Sequence, residues 1–186
     1  MNNKHFNLKD MKIFFVDYNQ QITELLEVVF KKYRNVHIVN SDIESFCKNN
    51  ESKIECLVSP ANSYGIMTGG FDEGLSNYLG RDFQLKVQQF IKENYRGEQP
   101  VGSSFIIDTD IKNIKLIHTP TMQTPTIIKD DFLVYTCTRS TLLCAINNNI
   151  KVLVMPAFGT ETGGVCAKVA VKRMLDAYNQ LLKYDK

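Results

Sequence analysis

Two stretches of this chain have the residue types of a phosphate-binding surface. Residues 59–74 read SPANSYGIMTGGFDEG, and residues 156–164 read PAFGTETGG. The first follows the apolar run Cys56-Leu57-Val58, the second follows Val152-Leu153-Val154-Met155, and each leads into a segment of helical pattern. Strand, glycine-rich turn and helix in that order set backbone N–H groups beside a helix N-terminus. Glycine lets a ligand approach those groups closely, and the helix end adds partial positive charge that favours phosphate. Two such turns facing each other would clamp a diphosphate. The structural alternative is that the glycines only supply positive φ angles. Neither turn is a P-loop, since G-x-x-x-x-G-K-S/T is absent, and neither matches G-x-G-x-x-G.

Turns of this kind bind ligands at the carboxyl ends of neighbouring strands in an open α/β sheet, and the rest of the chain supplies such a sheet. Strands are predicted at Lys12–Val16, Val36–Val39, Glu55–Val58, Ser104–Ile107, Lys115–His118 and Val152–Met155. Ile22, Leu25, Leu26, Val29 and Phe30 follow helical spacing, and further helices are expected near 71–95, 130–148 and 166–183. In the last of these, Val171, Met174, Leu175, Tyr178 and Leu182 form one apolar stripe, most simply core packing. The alternation implies a sheet of about six strands, mixed but mainly parallel, covered by helices. With 186 residues and 44% hydrophobic content, the expectation is one domain over 1–186. Residues 12–39 read as a βαβ unit within the same sheet.

Composition narrows the function classes. Twenty-two Lys and Arg against 20 Asp and Glu leave a formal charge of +2, and no basic block exists to create a local field for generic nucleic-acid binding. Cysteines at 47, 56, 137, 144 and 166 contain no C-x-x-C pair and are odd in number, which fits free thiols in a reducing compartment. The stretch MNNKHFNLKD lacks the pattern of a signal peptide, and no run approaches the ~18 apolar residues of a membrane span. A soluble, cytoplasmic protein is expected. No zinc or calcium ligand spacing is present, so neither metal nor cofactor is expected.

The motifs resemble those of the macro domain, the ADP-ribose-binding α/β module. Its N-A-A-N-S and G-G-V-D are matched by Ser59-Pro60-Ala61-Asn62-Ser63 and Gly69-Gly70-Phe71-Asp72, with the same ten-residue interval from Asn62 to Asp72. Ser41-Asp42-Ile43 resembles the family's G-D-I, Leu116-Ile117-His118-Thr119 its V-I-H-T, Arg139-Ser140 its R-N-S, and Met155-Pro156-Ala157 its F-P-A. The matches keep their order across residues 36–183 and are most similar to bacterial and phage-type members with S-P-A-N-S and G-T-x-T-G-G loops. The resemblance implies a three-layer α/β/α fold.

It also implies roles. Asp42 would accept a hydrogen bond from the adenine amino group, supported by the Ile43 backbone. Asn62 would bind the distal ribose, and Gly69, Gly70 and Phe71 would hold one phosphate through backbone N–H groups. The second loop, Phe158, Gly159, Thr160, Glu161, Thr162, Gly163 and Gly164, would hold the other phosphate and wall the distal ribose. In hydrolytic members an Asn and an Asp at this spacing activate water at the anomeric carbon, which makes Asn62 and Asp72 the catalytic candidates. Structural alternatives stand beside these roles. Asp42 could cap a helix starting at Ile43, Asn62 could satisfy turn backbone, Asp72 could cap a helix starting at Glu73, and His118 reads as a core histidine. Departures from the family pattern are Ser59 for the first Asn, Met67-Thr68 within the glycine run, Glu161 for a glycine and Gly163 for an aromatic. Beside a diphosphate, Glu161 is expected to point to solvent. The expected partner is ADP-ribose, a related small molecule or an ADP-ribosylated macromolecule, and the expected reaction is hydrolysis at the distal ribose. A non-catalytic ADP-ribose reader is the alternative. A methyltransferase-like nucleoside site, prompted by Val16-Asp17 and Asp42 after successive strands, would need a glycine-rich turn that Asp17-Tyr18-Asn19-Gln20-Gln21 does not supply.

Overall fold

The computed structural model describes residues 6–185; the first five residues of the N-terminal stretch judged above, and Lys186, lie outside it. Its strands are β1 (Lys12–Asp17), β2 (Val36–Asn40), β3 (Cys56–Ser59), β4 (Phe105–Asp108), β5 (Lys115–His118) and β6 (Val152–Met155). Its helices are α1 (Gln20–Phe30), α2 (Ile43–Asn50), α3 (Gly70–Leu79), α4 (Phe83–Tyr95), α5 (Phe132–Asn147) and α6 (Ala167–Leu182). The strands join in one sheet in the order β2-β1-β6-β3-β5-β4, in which only β4 runs antiparallel.

Both faces of the sheet are apolar because successive side chains of a strand point to opposite sides. Ile13 and Phe15 of β1, Leu153 and Met155 of β6 and Val58 of β3 pack on one face against α1, α5 and α6. Val16, Val154, Leu57 and Leu116 pack on the other against α2, α3 and α4. The result is the three-layer α/β/α arrangement. Crossover α1 lies on one face and crossover α2 on the other, so β1 leads outward to β2 and the chain then returns across the sheet to β3. Such a reversal opens a crevice at the carboxyl ends of the strands.

Two elements differ from the sequence pattern. The single helix expected over 71–95 is two, because the chain breaks at Gly80, whose φ of 95° no helical residue adopts. The short α2 was anticipated only through the reading of Asp42 as a cap for a helix starting at Ile43; its apolar contribution is confined to Ile43, Phe46 and Cys47, too few for a clear stripe. All five cysteines are free, with Cys47, Cys56 and Cys137 buried. No helix among the described residues is long and apolar enough to cross a membrane.

Candidate active site

A cleft of about 490 Å³ opens at the carboxyl edge of the sheet, within the range of small-molecule sites. Parallel register is what assembles it. Asp17 of β1 lies level with Asn40 of β2, and Ser59 of β3 with His118 of β5, so the segments that follow these strands emerge together. The segment after β2 brings Asp42 and Ile43, the loop after β3 brings Asn62, Gly69, Gly70, Phe71 and Asp72, and the loop after β6 brings Gly159, Glu161, Thr162 and Gly163. Phe158, Thr160 and Gly164 of the expected set do not line it. The Phe158 ring is fully buried in the core, Thr160 turns its hydroxyl to the Ala157 carbonyl at 3.1 Å, and Gly164 closes the turn by donating to Glu161 O at 2.9 Å.

Asp72 is the most perturbed carboxyl in the cleft. It sits in the first turn of α3, only 7% exposed, and accepts a 2.6 Å hydrogen bond from the wholly buried Ser59 hydroxyl. It is not the N-cap of α3, a position held by Gly69. Burial raises its pKa from the ordinary 3.8 to about 7; the Ser59 bond opposes that shift and the charge of Glu161 adds to it. Asp17 behaves similarly: burial raises it to about 6 against the stabilising Asn19 N–H, and Glu161 again adds. Two carboxyls that titrate near neutrality, within the field of a third, mark a place suited to proton transfer.

The loop after β3 is held by its own asparagine. The Asn62 Oδ1 accepts from the N–H groups of Tyr64 and Ile66 at 3.1 and 3.3 Å, and its Nδ2 donates to Ile66 O at 2.8 Å. Turn formation and cleft lining therefore coincide at Asn62, which is 7% exposed. Gly70 opens α3 at φ 55°, and a Cβ there would collide with Glu161 Oε2. Gly163 allows a close approach of another kind: a Cβ would meet Ile128 Cδ1 at 2.6 Å and Gly159 O at 2.7 Å. An aromatic at this position has no room. Glu161 is solvent-exposed yet crosses the cleft toward Gly70 and Tyr18, a contact its expected outward direction did not include.

Asp42 is exposed and caps α2, accepting from Ser45 N at 2.8 Å, and this bond is the main cause of its lowered pKa. It also lines the cleft, so the capping and recognition roles are compatible. His118 does not line it. It is buried, its Nδ1 lies 2.5 Å from Gln99 Oε1, its ring stacks on Phe105 at 5.1 Å, and burial lowers its pKa to about 3. Sequence reasoning placed Asp17 only in the methyltransferase-like alternative, and it missed Tyr18 at the end of β1 and Thr121 and Met122 after β5. Asp17 had a signal, a carboxylate ending a buried strand. Thr121 and Met122 had none; they act by seating the first loop, through Thr121 Oγ1 on Pro60 O at 2.9 Å and Ser63 N on Met122 O at 3.0 Å. Among the described residues, no group of three or more His, Cys, Asp or Glu is arranged to hold a metal ion.

Comparison with known proteins gives this arrangement a context. The family model described as Macro domain matches residues 58–174. An uncharacterized protein of Aquifex aeolicus is 29% identical over 127 residues, which are 68% of this chain and 73% of that protein. The macrodomain of Mycobacterium tuberculosis DarG superposes with a TM-score of 0.60 at 21% identity, covering 71% of this chain and 86% of that one. An Oceanobacillus iheyensis macrodomain mutant solved with ADPR superposes with a TM-score of 0.53 at 17% identity, covering 71% and 86%.

Proposed function

The chain belongs to the macro domain family, and from that premise we propose that its cleft binds ADP-ribose or a close derivative and hydrolyses the bond between the distal ribose and its substituent. A related macrodomain was solved with ADPR and another, from Trypanosoma brucei, with ADP. The cleft here has the corresponding parts: glycine-rich turns after β3 and β6, the N-terminus of α3 for a phosphate, and Asp42 beside α2 for an amino group on the base.

The observation that carries the catalytic half is Asp72, a carboxyl buried in the cleft wall with a pKa of about 7. Its ionised form stabilises the oxocarbenium-like state as the bond from the anomeric carbon to the substituent breaks, and it accepts the proton of the water whose oxygen bonds to that carbon while the substituent departs with the bonding electron pair. The Ser59 hydroxyl holds one carboxyl oxygen in place. The reader alternative is favoured by one specific feature, the commitment of the Asn62 carboxamide to its own loop.

Calorimetry and single-turnover assays separate these readings. ADP-ribose should bind more tightly than AMP, because the two loops address the distal half. Asp72→Ala should leave ADP-ribose affinity within about tenfold, roughly 1.4 kcal/mol, while slowing release of the substituent by about 10² or more. Equal affinity for AMP and ADP-ribose would remove the distal pocket. Binding without release from any ADP-ribosyl conjugate by the unmodified protein would leave the reader.

A further inference from the structure

The cleft is lined by four carboxyl groups, those of Asp17, Asp42, Asp72 and Glu161, and by no lysine, arginine or histidine among the described residues. A diphosphate therefore meets repulsion from side-chain charge, and its favourable partners are the N–H groups and dipole at the start of α3. One carboxylate already stands there. Glu161 reaches from the loop after β6 to Gly70, the first residue of α3, so closely that its Oε2 fills the space of a Gly70 Cβ. On its other side it faces the Tyr18 hydroxyl at the end of β1, and its charge is the chief reason that phenol is held above its ordinary range. Its remaining charged neighbours, Asp17 and Asp72, are repelled by it. Glu161 thus lies against a helix end and a phenol, is opposed by two carboxyls, and is borne on an exposed loop position with no core packing to lose when it moves.

We propose that Glu161 is a displaceable internal anion: in the free protein its carboxylate rests against the first turn of α3 beside Tyr18, and the diphosphate of the ligand takes its place. This role rests on the ADP-ribose reading of the cleft. The ligand must then move a like charge before it binds, so affinity is set partly by a residue that makes no favourable contact with it. The same displacement lets only ligands bearing a phosphate at this point open the seat.

The test is calorimetry on the full chain with ADP-ribose, inorganic diphosphate and adenosine, comparing the unmodified protein with Glu161→Gln and Glu161→Ala. Both variants should bind ADP-ribose about tenfold more tightly and diphosphate more tightly as well, with adenosine affinity unchanged. Unchanged or weaker ADP-ribose binding in the variants, while the unmodified protein binds it, would overturn the internal-anion role and leave the ADP-ribose reading standing. A uniform gain for all three ligands would also overturn it, since adenosine has no anion to compete. No ADP-ribose binding by any of the three proteins would overturn the reading of the cleft itself, and this role with it.

Discussion

Asp72 ties the stability of the fold to the titration of one carboxyl in the cleft wall. Its pKa rises from 3.8 to about 7 on folding, so between those values the folded protein holds a proton that the unfolded chain has released. The folded state then binds more protons, and stability falls as pH rises through this window. The sign is opposite to that of a carboxylate in a salt bridge, and Asp17, raised to about 6, adds in the same direction. Asp72→Asn removes the penalty while keeping an acceptor for Ser59. Its thermal midpoint should match that of the unmodified protein near pH 4 and exceed it by several degrees at pH 8, where the full shift corresponds to at most about 4 kcal/mol. A constant difference across pH would show that Asp72 is not ionising under strain. Gly69-Gly70-Phe71-Asp72 made this residue legible in the sequence. Its partner Ser59 was legible only as a departure from a pattern, because a hydrogen bond across 13 positions depends on where α3 starts relative to β3. The approach of Glu161 to Tyr18 joins the ends of two strands that only the sheet makes neighbours.

At the scale of elements, α2 and α3 are positioned by their first turns, and those turns face the cleft. Asp42 caps α2 through Ser45 N, an interaction worth about 1 kcal/mol. Its proposed second role can be separated from the first by choice of substitution. Asp42→Asn keeps a good cap but presents an amide donor in place of a carboxylate, so the thermal midpoint should hold while ADP-ribose affinity drops by about 1 to 3 kcal/mol. Asp42→Ala should lower both, the midpoint by about 2–4 °C. Retained affinity in both variants, measured by calorimetry beside the melts, would leave Asp42 a cap alone. Most elements were legible because apolar runs of four or five residues and long helical stripes are strong signals. The break at Gly80 was not, since Leu79 and Phe83 are both buried on the same side and keep a helical spacing across the turn. The loop after β5 was silent for a different reason: besides the Thr121 hydroxyl on Pro60 O, its hold on the first loop is main-chain, Thr121 N on Ala61 O and Ser63 N on Met122 O, and such contacts leave little trace in side-chain pattern.

The sheet as a whole explains why residues outside the matched 58–174 segment belong to the site. The strands were legible singly, but their order was not, because the place of β1 between β2 and β6 is fixed by pairing across some 140 positions of sequence. In that place β1 is interior to the sheet, hydrogen-bonded on both edges, and its carboxyl end delivers Asp17 and Tyr18 to the cleft. Leu8, Met11, Ile13, Phe15, Val16, Ile22, Leu26 and Phe30 are each no more than 4% exposed. At roughly 1.5 to 3 kcal/mol per buried side chain, they contribute on the order of 10–20 kcal/mol of gross burial, as much as the whole net stability of a domain. Removing residues 1–40 would strip these groups, bare one edge of β6 and uncover the apolar face of α6 that α1 now covers. The 41–186 fragment should therefore fail to fold cooperatively, lacking a sharp thermal transition, binding the dye ANS, and losing ADP-ribose affinity even though it keeps Asp42, both glycine-rich loops and Asp72. A fragment that melts sharply and binds ADP-ribose within about tenfold of the full chain would show that β1 and α1 are an addition to a self-sufficient core rather than part of it.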